Sequence, residues 1–110
     1  MKLSEVLDKV FDYPGIYIGA ESVDRAFIFI CGYSVALQQT GQRWEDPLEK
    51  GFSGWVCQKF GYPVAHTWAS VCTFHSADEQ AAFNLAKDLW EEYKAELEIR
   101  SSTTVAPRVE

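Results

Sequence analysis

The chain reads as an all-α domain, a compact bundle of four to five helices, and three observations carry that reading. Apolar residues recur at helical spacing in three separate stretches: Leu3, Val6, Leu7, Val10 and Phe11; Phe52, Trp55, Val56 and Phe60; and Phe83, Ala86, Leu89, Trp90, Tyr93 and Leu97. Ser76-Ala-Asp-Glu79 has the S-x-x-E form of a capping box just before the third of these stretches. No extended segment has an evident partner, and a lone strand has no sheet to join.

The first helix is expected over residues 4 to 12, with Ser4 as its N-cap and Glu5 near the positive end of the helix. Tyr13-Pro14-Gly15 ends it, because proline disfavours the helical region at the residue before it. Ile16-Tyr-Ile-Gly19 then reads as a buried connector. Residues 22–39 follow, and from Ala26 to Leu37 only Gly32 and Ser34 fall outside the apolar and aromatic set. A segment apolar all round belongs inside its neighbours, so residues 22–39 are expected to be the buried central helix. Ser22 or Glu21 opens it, and Asp24 favours its first turn. Gly32 costs about 1 kcal/mol against alanine in a helix, which predicts a close approach of another backbone or ring.

Thr40 to Pro47 reads as a polar loop in which Asp46-Pro47 offers an N-cap and N1 proline. The next helix covers Phe52 to Phe60, with Ser53 an equally good start, and Gly61-Tyr-Pro63 stops it. Residues 66 to 74 favour a short helix, although Val71, Thr73 and Phe74 also suit a strand. The last helix is expected from about residue 77 to 98, packed against the central one. Residues 1–100 form a single domain on this reading, and 101–110 a loose tail without periodicity.

At 110 residues the chain is long enough for one core, and 47% apolar with 24% charged residues places it among globular proteins. Four Trp and an aromatic share of 15% leave some rings at the surface or an interface. A net charge of −6 argues against nucleic acid and anionic membranes as partners and suits a basic protein. Cys31, Cys57 and Cys72, odd in number and widely spaced, suggest no disulfide framework. Each sits among apolar neighbours as a reduced thiol would. Cysteines kept reduced make the cytosol the expected compartment, and no apolar run of signal-peptide or membrane-spanning length is visible.

Chemistry-bearing constellations are sparse. Cys72-x-x-His75 is the one tight Cys/His pair, with Cys57 and His66 upstream, but a structural zinc site needs a second pair. No metal and no cofactor are expected. Neither histidine is tied to a cysteine by a catalytic motif, and no glycine-rich phosphate loop is present. A binding protein is therefore expected rather than an enzyme. Asp88, Glu91, Glu92 and Glu96 line the last helix, and Asp88/Glu92 and Glu92/Glu96 are like-charged i, i+4 pairs. This acidic ridge reads either as a docking surface for a basic partner or as a solvated helix face. Trp44, beside Glu45 and Asp46, reads either as an interface anchor or as a lid over the core.

An ordered set of residues adds a resemblance. Tyr13-Pro-Gly-Ile-Tyr-Ile-Gly19, Ser22, Phe29 to Tyr33, Gly51-Phe-Ser-Gly-Trp55-Val56, Trp68, and Ala82-Phe83 with Leu89 and Tyr93 run through residues 13 to about 97. The pattern resembles small bacterial immunity proteins encoded beside polymorphic or contact-dependent toxins. It rests on core and turn positions, so it transfers no binding residues. The resemblance implies a cytoplasmic protein that binds and neutralises a cognate toxin, in many cases a basic nuclease whose cleft an acidic partner can fill. A protein-binding adaptor without neutralising activity is the alternative.

Overall fold

A computed structural model describes residues 2–41 and 51–105, the last five as backbone alone. The helices are α1 (Leu3–Asp12), α2 (Pro14–Tyr17), α3 (Val23–Gln39), α4 (Ser53–Lys59), α5 (Trp68–Phe74) and α6 (Glu79–Val105). No strand occurs among the described residues. The all-α class holds, with six helices among the described residues in place of the expected four to five.

Two helix starts differ from the sequence reading. α1 begins one residue before Ser4 because Leu3, only 1% exposed, belongs to its buried stripe. The Lys2 backbone N–H donates to Glu5 Oε1 at 2.8 Å and closes that first turn. At α6 the cap is Asp78, whose Oδ1 accepts from the Ala81 N–H at 2.8 Å. The capping-box role assigned to Ser76 is not taken up, because the Glu79 carboxylate is turned instead towards the Ser22 hydroxyl, 3.4 Å away. Ser22 itself caps α3, accepting from the Arg25 N–H at 3.3 Å, and is buried between the two helix starts.

The connector after Tyr13 is a helical turn, and it is not buried as expected: Ile16 is 78% exposed, and Ile18 is only partly buried against the core. Pro14 takes the first position of α2, where its missing N–H costs nothing. The turn closes at Gly19, whose φ of +80° lies in the left-handed region that glycine enters freely. The Arg25 guanidinium donates to the Ile18 carbonyl at 3.0 Å and ties this turn to α3. α5 confirms the short helix expected within residues 66–74. α6 runs past its expected end at 98, so the backbone of 101–105 continues the helix rather than opening a tail.

The largest correction concerns residues 22–39. α3 packs against α1, α5 and α6 along one side, with Val23, Ala26 and Ile30 buried and Phe27, Phe29 and Tyr33 partly so. Its opposite side is open: Ile28 is 69% and Val35 54% exposed. A β-carbon at Gly32 would meet nothing within 4 Å, so the close approach expected of it does not occur among the described residues.

The centre of the domain is instead a run of aromatic rings. Phe52, fully buried, meets Trp68 at 5.6 Å, Trp90 at 5.0 Å and Tyr93 at 5.2 Å. Phe11 extends the run, edge-on to Trp68 at 6.3 Å and to Phe83 at 5.4 Å. Edge-to-face and tilted pairs of this kind add to the burial of the rings themselves. α6 supplies Phe83, Trp90 and Tyr93, so it is the helix on which the core is assembled. Trp68 and Trp90 are buried and Trp55 half-buried, while Tyr13 and Phe74 are exposed, so some rings do lie at the surface as composition suggested.

Candidate functional site

The side of α6 opposite the aromatic core carries the predicted acidic ridge. Asp88, Glu91 and Glu92 are exposed and Glu96 is half-buried. Their spacing follows from the core positions: with Ala86, Trp90 and Tyr93 turned inwards, residues 88, 91 and 92 must face out.

The ridge is not a bare row of carboxylates. Glu92 pairs with Lys59 of α4, and the Lys59 ammonium also lies 5.2 Å from the centre of the Trp55 ring. Glu96 accepts from the Trp55 indole N–H at 3.2 Å and from Arg100 at 3.0 Å. Glu91 lies 3.4 Å from Lys94. Asp88 makes no ion pair with the described residues. The four acids therefore share one helix but divide, Glu92 and Glu96 leaning on α4 and Glu91 towards α1. Trp44, Glu45 and Asp46, the second predicted patch, lie outside the described residues, as does the Asp46-Pro47 helix start.

Sequence reasoning missed Lys59, Trp55 and Arg100 as members of this surface. Arg100 stands four residues after Glu96, a spacing that favours an ion pair. Lys59 and Trp55 reach the ridge only through the packing of α4 beside α6, which no local pattern announces. Trp55, Gln58, Lys59, Glu96 and Arg100 together line a shallow hollow of about 230 Å³. The Lys59–Glu92 side chains are 40% and 50% exposed, and ion pairs at such exposure contribute about 0–1 kcal/mol. A cation brought by a partner can therefore replace Lys59 at little cost, while the hollow beside it accepts a side chain.

On the other flank the charges serve the fold. Asp8 of α1 accepts from the Trp90 indole N–H at 2.7 Å and from Lys94 at 2.6 Å. Burial lowers the Lys94 pKa, but the hydrogen bond and charge of Asp8, with those of Glu91, outweigh it and hold the ammonium above its usual 10.5.

The thiols and histidines form no comparable arrangement. Cys72 is fully buried, and burial pushes its thiol up from 9.0 to about 12. Cys57 is buried too, its Sγ donating to the His66 carbonyl at 3.2 Å and lying 3.4 Å from the His66 N–H. The sulfur thus fastens the loop between α4 and α5. His75, three residues after Cys72, turns outwards and bonds the Tyr62 hydroxyl at 2.9 Å. Cys31, expected among apolar neighbours, is exposed on α3. Among the described residues, no group of three or more His, Cys, Asp or Glu side chains is placed to hold a metal, and no helix is long and apolar enough to cross a membrane.

Compared with known proteins, the chain matches no family profile, no characterised protein and no solved structure.

Proposed function

We propose that this chain is an immunity protein that binds a basic toxin domain through the outer face of α6 and blocks its active-site cleft. The observation that carries the proposal is the exposed run of Asp88, Glu91 and Glu92 beside the Trp55–Lys59 hollow. That surface offers what a basic cleft needs: carboxylates in a rigid row, an aromatic edge, and weak internal pairs that a partner's cations can displace. The net charge of −6 adds long-range attraction and speeds encounter. The family resemblance supplies the toxin as the partner, and a cytoplasmic location follows from where such toxins act. Neutralisation by this route asks no catalytic group of the chain.

Co-expression with the product of the neighbouring gene tests the reading. The expected result is a stable one-to-one complex that suppresses the toxicity of that product. Joint reversal of Glu91→Lys and Glu92→Lys should weaken the complex by about 2–5 kcal/mol if both carboxylates are desolvated in it. Both side chains are exposed, so the free variant should keep its circular dichroism spectrum. Unchanged affinity in the reversed variant removes the ridge from the interface. A complex that leaves toxicity intact favours the adaptor.

A further inference from the structure

The outer side of α3 is an apolar helix face that no other described residue covers. Ile28 and Val35 stand two turns apart, 69% and 54% exposed, with Cys31 and Gly32 exposed between them. A cavity of about 500 Å³ opens alongside, sharing Cys31 and Val35 with this stripe and adding Phe27, Ile30, Ser34 and Trp68 to its walls.

We infer that this face is a two-fold interface between two copies of the chain, with their α3 helices crossing antiparallel at Cys31 and Gly32. Charge is the first argument. From Ala26 to Gly41 the sequence holds no Asp, Glu, Lys, Arg or His, in a chain whose net charge is −6. Two such chains repel wherever their carboxylates are brought together, and α3 is where they can meet without apposing any. The second argument is self-complementarity, which a two-fold contact demands. The antiparallel crossing sets Ile28 against Val35 of the second copy and Cys31 against its Gly32. Asp24 and Arg25 then meet Gln39 and Gln38 of the second copy, so each charged end faces a neutral amide. The order large, small, small, large reads alike from either direction.

Gly32 is the third argument. A β-carbon there would meet nothing within 4 Å, so the glycine serves no contact with the other described residues. It nonetheless carries the helix cost of about 1 kcal/mol against alanine. A second helix crossing at that point gives it a use, since small residues let two helix axes approach towards the lower end of the usual 8–10 Å. The cavity beside the crossing provides room for side chains of the second copy. None of this depends on the role assigned to α6, whose acidic ridge is a separate surface.

Sedimentation equilibrium over a range of concentrations is the test, with three chains compared. The wild type should weigh twice the 12.5-kDa protomer. Ile28→Asp combined with Val35→Asp places carboxylates at both ends of the stripe and should raise the dimer dissociation constant by about 100-fold or more. Ile99→Asp adds the same charge at a comparably exposed site on α6, 65% exposed, and should leave the dimer intact. Circular dichroism verifies that each variant is folded. A wild type that stays monomeric up to about 100 μM, where a micromolar dimer would be mostly formed, overturns the proposal. A dimer that persists in the double aspartate variant, or one lost equally in Ile99→Asp, also overturns it.

Discussion

Replacing Asp8 with alanine isolates a single link between the protein surface and its innermost ring. Trp90 is fully buried, and its indole N–H donates to Asp8 Oδ1 at 2.7 Å. The same oxygen receives the Lys94 ammonium at 2.6 Å. Two quantities therefore enter the cost. A hydrogen bond to a charged acceptor contributes about 1.5–3 kcal/mol, and losing it leaves a buried donor unpaired. The Asp8–Lys94 pair, with side chains 38% and 33% exposed, adds about 0–1 kcal/mol. Asp8→Ala should then lower the unfolding free energy by about 2–3 kcal/mol. Asp8→Asn keeps an acceptor for the indole but not the charge, and should cost about 1 kcal/mol. Lys94→Met retains most of the stem over the Trp90 ring, 5.6 Å from the ammonium, and should cost no more than about 1 kcal/mol. Urea titrations followed by tryptophan fluorescence and circular dichroism measure all three. If Asp8→Asn proves as damaging as Asp8→Ala, the charge and not the hydrogen bond holds the indole. If Asp8→Ala is within about 0.5 kcal/mol of wild type, the link contributes nothing, and the argument from buried donors fails here.

Two further outcomes follow from the same core. Phe52→Ala opens a cavity at the meeting point of Trp68, Trp90 and Tyr93 and should cost about 3–5 kcal/mol, a large part of the 5–15 kcal/mol that a domain has; Phe52→Leu should cost clearly less in the same urea titration. Cys72 makes stability fall in alkali, because the unfolded thiol releases its proton near 9.0 while the folded one holds it to about 12. The sign is a loss as pH rises above 9, reaching about 1.4 kcal/mol at pH 10. Cys72→Ala removes that increment, so the wild-type and variant stability curves should converge between pH 8 and pH 10 by about this amount, and parallel curves would refute it.

Helix positions were legible wherever one face of the helix meets the core. In α1 the apolar stripe of Leu3, Val6, Leu7, Val10 and Phe11 is also the buried set, residue for residue. The short α5 could be read because Trp68, Val71 and Cys72 keep helical spacing, and all three are buried. α3 shows the limit of the same method. Its density of apolar residues implies burial all round, yet burial depends on how many neighbours the rest of the chain can supply. A domain of 110 residues has α1, α5 and α6 to place on one side of α3, and among the described residues nothing further lies on the other. Capping failed for a similar reason: Ser76 and Asp78 are both sound N-caps, and a contact 57 residues away, from Ser22 to Glu79, goes with the choice of Asp78. The acidic ridge could be read as a face but not as a network, since Lys59 reaches Glu92 across 33 residues of chain.

The two surfaces proposed for binding differ in physical character, and that difference keeps their tests independent. Contacts made by Asp88, Glu91 and Glu92 are exposed and electrostatic, so added salt weakens them as the screening length falls from about 10 Å at 0.1 M towards 3 Å at 1 M. The α3 face carries no charge between Ala26 and Gly41, and its contacts rest on apolar burial. Salt does not weaken such contacts, and it relieves the repulsion between two chains of charge −6. A partner lost at high salt while self-association holds or tightens would assign each event to its own helix. The reverse pattern would place the partner on α3, where Ile28 and Val35 already offer an uncovered apolar surface.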